Sequence, residues 1–347
     1  MSAREQTSGI SRWLSAEPEW ELFQDNAAIW NAVFEQCDAA KHSINMEQYI
    51  FASQGVGRRL LDLLANKARQ GVAVRILADG LGSLGLAQSE GGRALIRNGG
   101  RIMMFNGVAG ILRSPTRRLH RLHRKTLVCD GSNYMIGGSC YHDRMANWRD
   151  TMILVRGPLP PMIMSEFERL WRYAQHLSPD PLLRAGDAVT DRGWSFAMSG
   201  PSVHTPFDLR KILPERIAGA SRSVSLTTPY LVPDRSLWRA FLTAAERGVA
   251  VRLLIPKKSD YRVLDLIGHR FAHALRRHGV EVRAYAPGMV HAKVALVDGN
   301  WSCVSSFNLD VFSAKLNLES GVVSTSDALY QALSAQLEVD LARSDPL

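Results

Sequence analysis

The amino-acid sequence predicts an α/β protein that arose by internal duplication, with two sandwich lobes that each contain a mixed sheet flanked by helices. One observation is a nearly verbatim repeat, because Gly-Val-Ala-Val-Arg-Ile-Leu at 71–77 returns as Gly-Val-Ala-Val-Arg-Leu-Leu at 248–254. A second is the spacing His-x-Lys-x-x-x-x-Asp, which begins at His123 and again at His291. A third is that apolar strand patterns alternate with helical patterns in the same order in both halves.

The predicted elements follow that order along the chain. In the first half, apolar residues recur at helical spacing directly after Asp25 and Asn26, either of which is a suitable helix cap. The predicted elements of the first half are a helix at 27–40, a strand at 43–51, a helix at 57–70 and a strand at 72–77. Those of the second half are a strand at 223–230, a helix at 237–247 and a strand at 249–255.

The boundary between the copies is predicted near residue 195. A loop rich in Pro and Asp at 178–181 separates the two patterns, and the stretch 194–201 follows it. We therefore expect a first lobe at 1–195 and a second at 196–347, with one active site shared between them.

Composition indicates a globular protein with an anionic partner. The chain has 347 residues, of which 46% are hydrophobic and 22% are charged. These fractions are ordinary, but the net charge of +9 and the pI near 9.6 are not. Such a charge predicts a phospholipid surface, a nucleic acid or a phosphorylated substrate as the partner.

The sequence shows no segment that predicts insertion into a membrane. Residues 1–19 are polar and lack the apolar core of a signal peptide. No window approaches the roughly 18 uninterrupted apolar residues that span a bilayer. Cys37, Cys129, Cys140 and Cys303 lie in apolar patterns without Cys-x-x-Cys spacing, which predicts buried thiols in a reducing compartment. If the protein acts on lipid, we expect it to act from the surface.

The repeated motif is suited to binding a phosphoryl group. Residues two apart in an extended strand point the same way, so His291 and Lys293 share one face. After a predicted turn at 298–300, Ser306 and Asn308 repeat this spacing and offer a hydroxyl and an amide to the bound phosphate. A lone His-x-Lys pair is more often a buried histidine beside a surface lysine, but the second copy argues for function.

Two histidines are suited to double displacement at phosphorus. If the halves pack face to face, His123 and His291 flank one phosphorus atom, so that one forms a phosphohistidine and the other transfers protons. Lys125 and Lys293 would neutralise the non-bridging oxygens. The sequence shows no cluster of metal ligands, and we expect no catalytic metal and no cofactor.

Each histidine needs an acceptor that orients its ring. Glu319 lies 28 residues after His291, and Asp150 lies 27 residues after His123, so these carboxylates are the candidates. Asp130 and Asp298 complete the catalytic motifs. Because they follow the motif strands at turns, we expect them to act structurally.

The first half carries extra sequence before its motif. The interval from Gly100 to His123 is 23 residues, whereas that from Val280 to His291 is 11. The surplus holds an apolar tip followed by arginines, which suits docking on an anionic membrane. The predicted membrane contacts are Ile111, Leu112, Arg117 and Arg118. The alternative is a solvated basic loop whose arginines serve the substrate phosphate.

The motifs HRKTLVCD at 123–130 and HAKVALVD at 291–298, with SSFNLD at 305–310 and NLE at 317–319, resemble the paired HKD motifs of the phospholipase D superfamily. Within it, the chain is similar to bacterial cardiolipin synthases without transmembrane helices. The other supporting stretches are YIF at 49–51, RRLHRLHRK at 117–125, WRDT at 148–151, RGP at 156–158, PYLVPD at 229–234 and MVHAK at 289–293.

This resemblance implies a phosphatidyltransferase that makes cardiolipin through a phosphohistidine intermediate. The phosphatidyl group of one phospholipid would pass to a histidine and then to the glycerol hydroxyl of a phosphatidylglycerol. It also implies peripheral residence at the cytoplasmic face of the bacterial cell membrane, with an anionic membrane surface as partner.

Two departures from the family pattern leave alternatives open. Cys140 stands where such proteins usually carry Asn, and Ser305 where they carry Gly. A catalytically silent lipid-binding scaffold is therefore one alternative. A phosphodiesterase or nuclease acting on nucleic acid is another, since the positive charge serves it equally. No basic run interleaved with aromatic residues is present to stack bases, so we do not expect a nucleic-acid partner.

Overall fold

The computed structural model describes residues 17–107, 119–175, 190–200 and 208–347. The helices are α1 (Asn26–Ala39), α2 (Gly55–Arg69), α3 (Glu90–Arg97), α4 (Pro161–Ala174), α5 (Leu209–Gly219), α6 (Arg235–Glu246), α7 (Arg262–Arg276), α8 (Val311–Lys315) and α9 (Asp327–Ala342). The strands of the first half are β1 (Glu19–Phe23), β2 (Ser43–Gln48), β3 (Ala73–Asp79), β4 (Arg101–Phe105), β5 (Arg121–Leu122), β6 (Thr126–Cys129), β7 (Asn133–Gly137) and β8 (Met152–Arg156).

The remaining strands are β9 (Thr190–Asp191), β10 (Trp194–Ser199), β11 (Ser223–Thr227), β12 (Leu231–Val232), β13 (Ala250–Pro256), β14 (Glu281–Tyr285), β15 (Val294–Val297), β16 (Trp301–Ser305), β17 (Leu309–Asp310), β18 (Asn317–Ser324) and β19 (Ser344–Pro346).

The duplication is confirmed by the order of strands in the two large sheets. The first sheet runs β1-β8-β7-β6-β2-β3-β4, and the second contains β10-β18-β16-β15-β11-β13-β14 in the corresponding order. Strands β2, β3 and β4 of the first sheet are parallel to one another, as are β11, β13 and β14 of the second. In each sheet the next strand, β6 or β15, pairs antiparallel with this set. The predicted mixed sheets flanked by helices are therefore present in both halves.

The predicted helices and strands are confirmed with small differences at their ends. Asp25 caps α1 by accepting a hydrogen bond from the backbone N–H of Ala28 at 2.9 Å. The strands predicted at 43–51 and 223–230 end earlier, at Gln48 and Thr227. The apolar residues beyond these ends, such as Tyr49 and Tyr230, line a cavity rather than continuing the sheet.

The two lobes pack against each other through an apolar layer. Residues of β7 and β8 in the first half meet residues of β10, β16 and β18 in the second half in one buried cluster. Tyr134 and Phe196 illustrate the contact, because their ring centroids lie 5.3 Å apart in an edge-to-face arrangement. Each lobe also has its own core between its sheet and its helices. This packing fixes the relative position of the two motif segments.

No helix within the described ranges is long and apolar enough to cross a bilayer. The four cysteines are buried free thiols, as predicted from their apolar surroundings.

Candidate active site

Short extended segments carry both motifs to the boundary between the lobes. His123 and Lys125 lie between β5 and β6, and His291 and Lys293 lie directly before β15. The intervening Arg124 points the other way and is fully buried against Glu47 and Glu166, at 3.4 and 3.3 Å. The alternation expected of an extended chain therefore places histidine and lysine together.

Each motif segment pairs with backbone of the opposite half. Strand β5 runs parallel to β18, with Arg121 opposite Asn317 and Leu122 opposite Leu318. On the other side, Arg149 forms a parallel bridge with Val290. The backbone N–H of His123 donates to Leu318 at 3.0 Å, and that of His291 donates to Arg149 at 2.7 Å. The two halves are thus joined by backbone hydrogen bonds at the site itself.

The carboxylates cross between the halves. His123 Nδ1 lies 2.9 Å from both carboxylate oxygens of Glu319, and His291 Nδ1 lies 2.7 Å from Asp150 Oδ2. Both carboxylates are fully buried. The sequence spacing suggested pairing within each half, and that pairing is wrong. The parallel contacts between halves bring each carboxylate to the other half's histidine.

Buried hydroxyls hold Glu319 in place. Ser306 Oγ donates to Glu319 Oε2 at 2.5 Å, and Ser313 Oγ donates to Oε1 at 2.7 Å. Ser306 was expected to bind the substrate phosphate. Instead its hydroxyl faces Glu319, and the residue does not line the cavity at the site.

The first half uses a glycine where the second uses this serine. Gly138 is 168 residues before Ser306, and a Cβ at Gly138 would lie 2.3 Å from Asp150 Oδ1. The close approach of Asp150 therefore requires glycine at this position. The shorter carboxylate beside Gly138 and the longer one beside Ser306 make the two halves chemically unequal.

Both motif lysines are buried beside their histidines. Lys125 Nζ donates to the backbone oxygen of His123 at 2.7 Å and lies 5.1 Å from the centre of the Tyr49 ring. Lys293 Nζ donates to the backbone oxygen of His291 at 2.5 Å and lies 3.0 Å from both ring nitrogens. One lysine thus accompanies each imidazole.

The histidines open into one cavity of about 540 Å³. His123, Lys125 and His291 line it together with Asn308. Much of the remaining wall is aromatic or aliphatic: Tyr49, Ile50, Met145, Trp148, Tyr230, Leu264 and Leu316. Charged and amide side chains interrupt it, namely Arg121, Arg144, Asp260, Asp310 and Asn317. Such a cavity has a small polar floor for a phosphate and wide apolar walls for hydrocarbon.

Asn308 and Cys140 occupy equivalent positions in the two halves, and both line the cavity. Asn308 is buried, and its Oδ1 has no hydrogen-bond partner among the described residues. This unsatisfied acceptor suits a hydroxyl donor from a substrate. Cys140, also buried, offers only a weakly polar thiol in the first half.

Burial controls the protonation of the site. Burial lowers the pKa of His123 to about 4, although Glu319 opposes the shift. Burial and then the nearby Lys293 lower the pKa of His291 to about 3. Burial also lowers the pKa of Lys293 to about 7. Both imidazoles are therefore neutral at neutral pH, and in each ring Nε2 is the nitrogen that does not contact the carboxylate.

The pKa of Glu319 remains below its usual value. Burial alone would raise this pKa, but the adjacent His123 and Lys125 and the hydroxyl of Ser306 outweigh burial. Asp310 differs, because burial raises its pKa to about 6 at the edge of the cavity. The site therefore keeps a charged carboxylate behind His123.

We predict that the free energy of unfolding of the ligand-free protein falls as the pH drops from about 6.5 to about 4. In this window the unfolded chain protonates His123 and His291 at the ordinary pKa of 6.5, while the folded chain does not. Urea unfolding across this range measures the slope. The variant H123Q/H291Q should show a shallower slope than the wild type. An equal slope would contradict the lowered pKa values.

Asp130 and Asp298 lie outside the cavity and act structurally. Asp130 accepts hydrogen bonds from the backbone N–H groups of Lys41, His42 and Ser43 at 2.7–2.8 Å. Asp298 binds the backbone of 221–223 in the same way. Their φ values of +52° and +54° are left-handed, a conformation that Asp tolerates. Their place in the catalytic motif thus reflects how the motif strand joins its neighbour.

Replacement of Asp298 by Ala should lower the free energy of unfolding by about 1–2 kcal/mol, by analogy with the loss of a helix cap. Thermal unfolding checks the loss. Turnover per folded molecule should change by less than about tenfold, which corresponds to ~1.4 kcal/mol. A larger loss of turnover with unchanged stability would place Asp298 in the chemistry instead.

Several residues that contact the site were not identified from the sequence. Tyr49 meets the His123 ring edge-on at 4.8 Å, and Trp148 lies 5.1 Å from the His291 ring. Tyr230 donates its hydroxyl to Asp260 at 2.6 Å and also faces His291. Tyr49 and Trp148 lie in the quoted YIF and WRDT stretches, which was the available signal. The predicted membrane contacts Ile111, Leu112, Arg117 and Arg118 lie outside the described residues.

Comparison with known proteins gives the family. The family model described as cardiolipin synthase, PLD-like domain, matches residues 33–171 and 213–341. Cardiolipin synthase A of Pseudomonas aeruginosa is 33% identical over 331 residues, covering 93% of this chain and 67% of that protein. The probable cardiolipin synthase YwiE of Bacillus subtilis is 30% identical over 338 residues, covering 91% of this chain and 64% of that protein.

Solved structures share the fold. The crystal structure of phosphatidylserine synthase from Haemophilus influenzae matches with a TM-score of 0.70 at 16% identity, covering 94% of this chain and 87% of that chain. Polyphosphate kinase from Porphyromonas gingivalis matches with a TM-score of 0.62 at 15% identity, covering 93% of this chain and 47% of that chain. With the family match over both halves, the chain belongs to the cardiolipin synthase family of the phospholipase D superfamily and is an enzyme of the phosphatidyltransferase class.

Proposed function

We propose that the enzyme makes cardiolipin from two molecules of phosphatidylglycerol through a phosphohistidine intermediate. It would act as a peripheral protein at the cytoplasmic face of the bacterial membrane. The observation that carries this proposal is the convergence of two buried imidazole–carboxylate pairs on one cavity, each with a lysine beside it. Family membership supplies the lipid chemistry, since the relatives that match are cardiolipin synthases.

In the first displacement, His123 Nε2 attacks the phosphorus of phosphatidylglycerol. The bond between phosphorus and the headgroup oxygen breaks, and His291 donates a proton to that oxygen, which leaves as glycerol. Glu319 holds His123 with Nδ1–H toward the carboxylate, which leaves Nε2 as the nucleophile. The products of this step are free glycerol and phosphatidyl-His123.

In the second displacement, the terminal hydroxyl of another phosphatidylglycerol attacks the same phosphorus. His291 accepts the hydroxyl proton, the bond between phosphorus and His123 breaks, and cardiolipin leaves. Asn308 supports this step, because its buried and unsatisfied Oδ1 can accept a hydrogen bond from the incoming headgroup. Lys125, which lines the cavity, stabilises the charge on the non-bridging oxygens in both steps, while Lys293 does not line the cavity and lies 3.0 Å from the His291 ring nitrogens.

The protonation states of the two histidines are compatible with this cycle. The lowered pKa values keep both histidines neutral at neutral pH, which suits the nucleophile but not the acid. A phosphodiester anion beside His123, Lys125 and His291 raises the pKa of these groups, because a nearby negative charge favours the protonated form. Substrate binding thus recruits the proton that His291 gives to the leaving group.

The apolar walls of the cavity favour lipid over nucleic acid. Nucleotide bases stack on aromatic faces, whereas Ile50, Met145, Leu264 and Leu316 present aliphatic surface that suits acyl chains. Here the aromatic rings of Tyr49, Trp148 and Tyr230 pack at or near the catalytic histidines.

Product identification tests the proposal. Purified protein is incubated with phosphatidylglycerol vesicles, and the lipids and glycerol are identified by mass. Cardiolipin and glycerol in equal amounts are expected. Phosphatidic acid as the only lipid product, with an equal amount of glycerol, would make the enzyme a hydrolase. Cleavage of single-stranded DNA without any lipid product would support a nuclease.

A further inference from the structure

Exposed apolar side chains are concentrated around the mouth of the catalytic cavity. Of the ten large hydrophobic residues that are exposed in the described ranges, eight lie on segments that form this mouth. We call these eight the apolar rim: Leu81, Leu84, Leu119, Tyr261, Val263, Leu266, Val311 and Phe312. The other two, Ile96 and Val339, lie on α3 and α9. Such a concentration marks an interaction surface.

The rim is continuous with the cavity wall. Leu81, Leu119, Tyr261 and Phe312 line the cavity directly. Val263 and Leu266 are three residues apart on α7 and therefore share a helix face, at 70% and 60% exposure. Leu264, between them, turns inward to line the cavity. Apolar surface thus extends from outside the protein to the catalytic histidines.

Exposed basic residues accompany the rim. Arg144 lines the cavity and is exposed, Arg262 begins α7, and Lys315 ends α8. Asp260 also lines the mouth, but its carboxylate accepts a hydrogen bond from the Tyr230 hydroxyl. Lys315 Nζ lies 3.8 Å from Asp234, whereas Arg144 and Arg262, with the net charge of +9, make this side complementary to an anionic surface.

The position of the rim favours a bilayer over a protein as its partner. A protein seated on the rim would close the mouth and separate the histidines from substrate. A bilayer would present phospholipid headgroups to the mouth while the rim contacts the acyl region. Aromatic residues such as Tyr261 and Phe312 and nearby cations are the usual composition of such a contact.

We infer that the apolar rim is the surface by which the enzyme docks on an anionic phospholipid bilayer, with the cavity mouth facing the lipid. The inference rests on the proposed function in one respect, namely that the substrate is a bilayer phospholipid. Docked in this way, a headgroup enters the cavity while its chains remain against the apolar walls.

The test compares two matched double variants in the inactive H291A background, so that lipid is not consumed. The rim variant is V263Q/L266Q, whose residues do not line the cavity. The control is I96Q/V339Q, which removes two exposed apolar side chains from other helices. Partition is measured by sedimentation with vesicles of phosphatidylglycerol and phosphatidylcholine, and with phosphatidylcholine alone.

The rim variant should bind the anionic vesicles about tenfold more weakly than its parent, because two side chains no longer bury apolar surface in lipid. The control should remain within about twofold of the parent. Circular dichroism confirms that both variants are folded. Equal binding by the rim variant and the parent, or equal loss in both variants, would overturn the inference. So would a change of mass by light scattering in the rim variant alone, since the rim would then be a protein interface.

Failure of this inference is distinguishable from failure of the proposed function. Vesicle binding in the H291A background requires no turnover. If the wild type makes no cardiolipin but the rim variant loses binding, the docking surface stands and the assigned reaction falls. If cardiolipin forms but the rim variant binds normally, the reaction stands and the docking surface falls.

Discussion

H123A and H291A are each expected to lower the rate of cardiolipin formation by about 10⁴-fold or more, because the nucleophile and the proton donor act as one unit. Each ring is held by a buried carboxylate, at 2.9 Å for His123 and 2.7 Å for His291. Rates are measured on phosphatidylglycerol by mass. The double variant should lose little more than either single variant, since neither ring works alone.

An exposed histidine gives the matched control. His278, which follows α7, is exposed, and H278A should retain turnover within about twofold, as expected for a surface substitution. A loss below about tenfold in H123A or H291A would contradict the shared site.

Trapping assigns the two roles. With a phosphodiester whose leaving group needs no proton, a phosphohistidine should accumulate on His123 in the H291A variant, because no base remains to deprotonate the acceptor. Its appearance on His291 in the H123A variant would reverse the assignment.

E319Q and D150N are expected to lower turnover by about 10²–10⁴-fold, because a neutral amide no longer fixes the ring tautomer or stabilises the imidazolium. The structure also predicts which histidine each substitution affects. Since the pairs cross between the halves, E319Q should disturb His123, and D150N should disturb His291. The substrate affinity should change much less than the maximal rate.

Ring nitrogen chemical shifts measured by NMR distinguish the crossed pairs from pairs within a half. In E319Q the resonances of His123 should move, while those of His291 stay near their wild-type positions. D130N is the matched control, because Asp130 binds backbone N–H groups away from the cavity. Movement of the His291 resonances alone in E319Q would contradict the observed geometry.

The sequence predicted the duplication, the layer composition and the proximity of histidine and lysine within each of the two motifs. Repeated motifs such as those that begin at His123 and His291 can be recognised in the sequence, because each copy must form the same local structure. The buried carboxylates Asp150 and Glu319 were found in the same way. Their partners were not, because a spacing of 27 or 28 residues says nothing about contacts across the lobe boundary.

The other differences have similar physical causes. Tyr49 and Tyr230 extend an apolar strand pattern, and only the tertiary fold shows that they leave the ladder to line the cavity. Ser306 has the spacing of a substrate ligand, yet burial turns its hydroxyl toward Glu319. Val263 and Leu266 have the periodicity of a core-facing helix surface, so their exposure is visible only in the structure.

The exchange of carboxylates between halves has a consequence for ancestry. A single unfused copy would contain a histidine with no carboxylate behind it, so an ancestral gene product would have needed a two-fold symmetric mate to complete its chemistry. Once both copies lay in one polypeptide, that symmetry was no longer required. Each copy could then change independently. Gly138 accordingly stands where the other copy has Ser306, and Cys140 stands where it has Asn308.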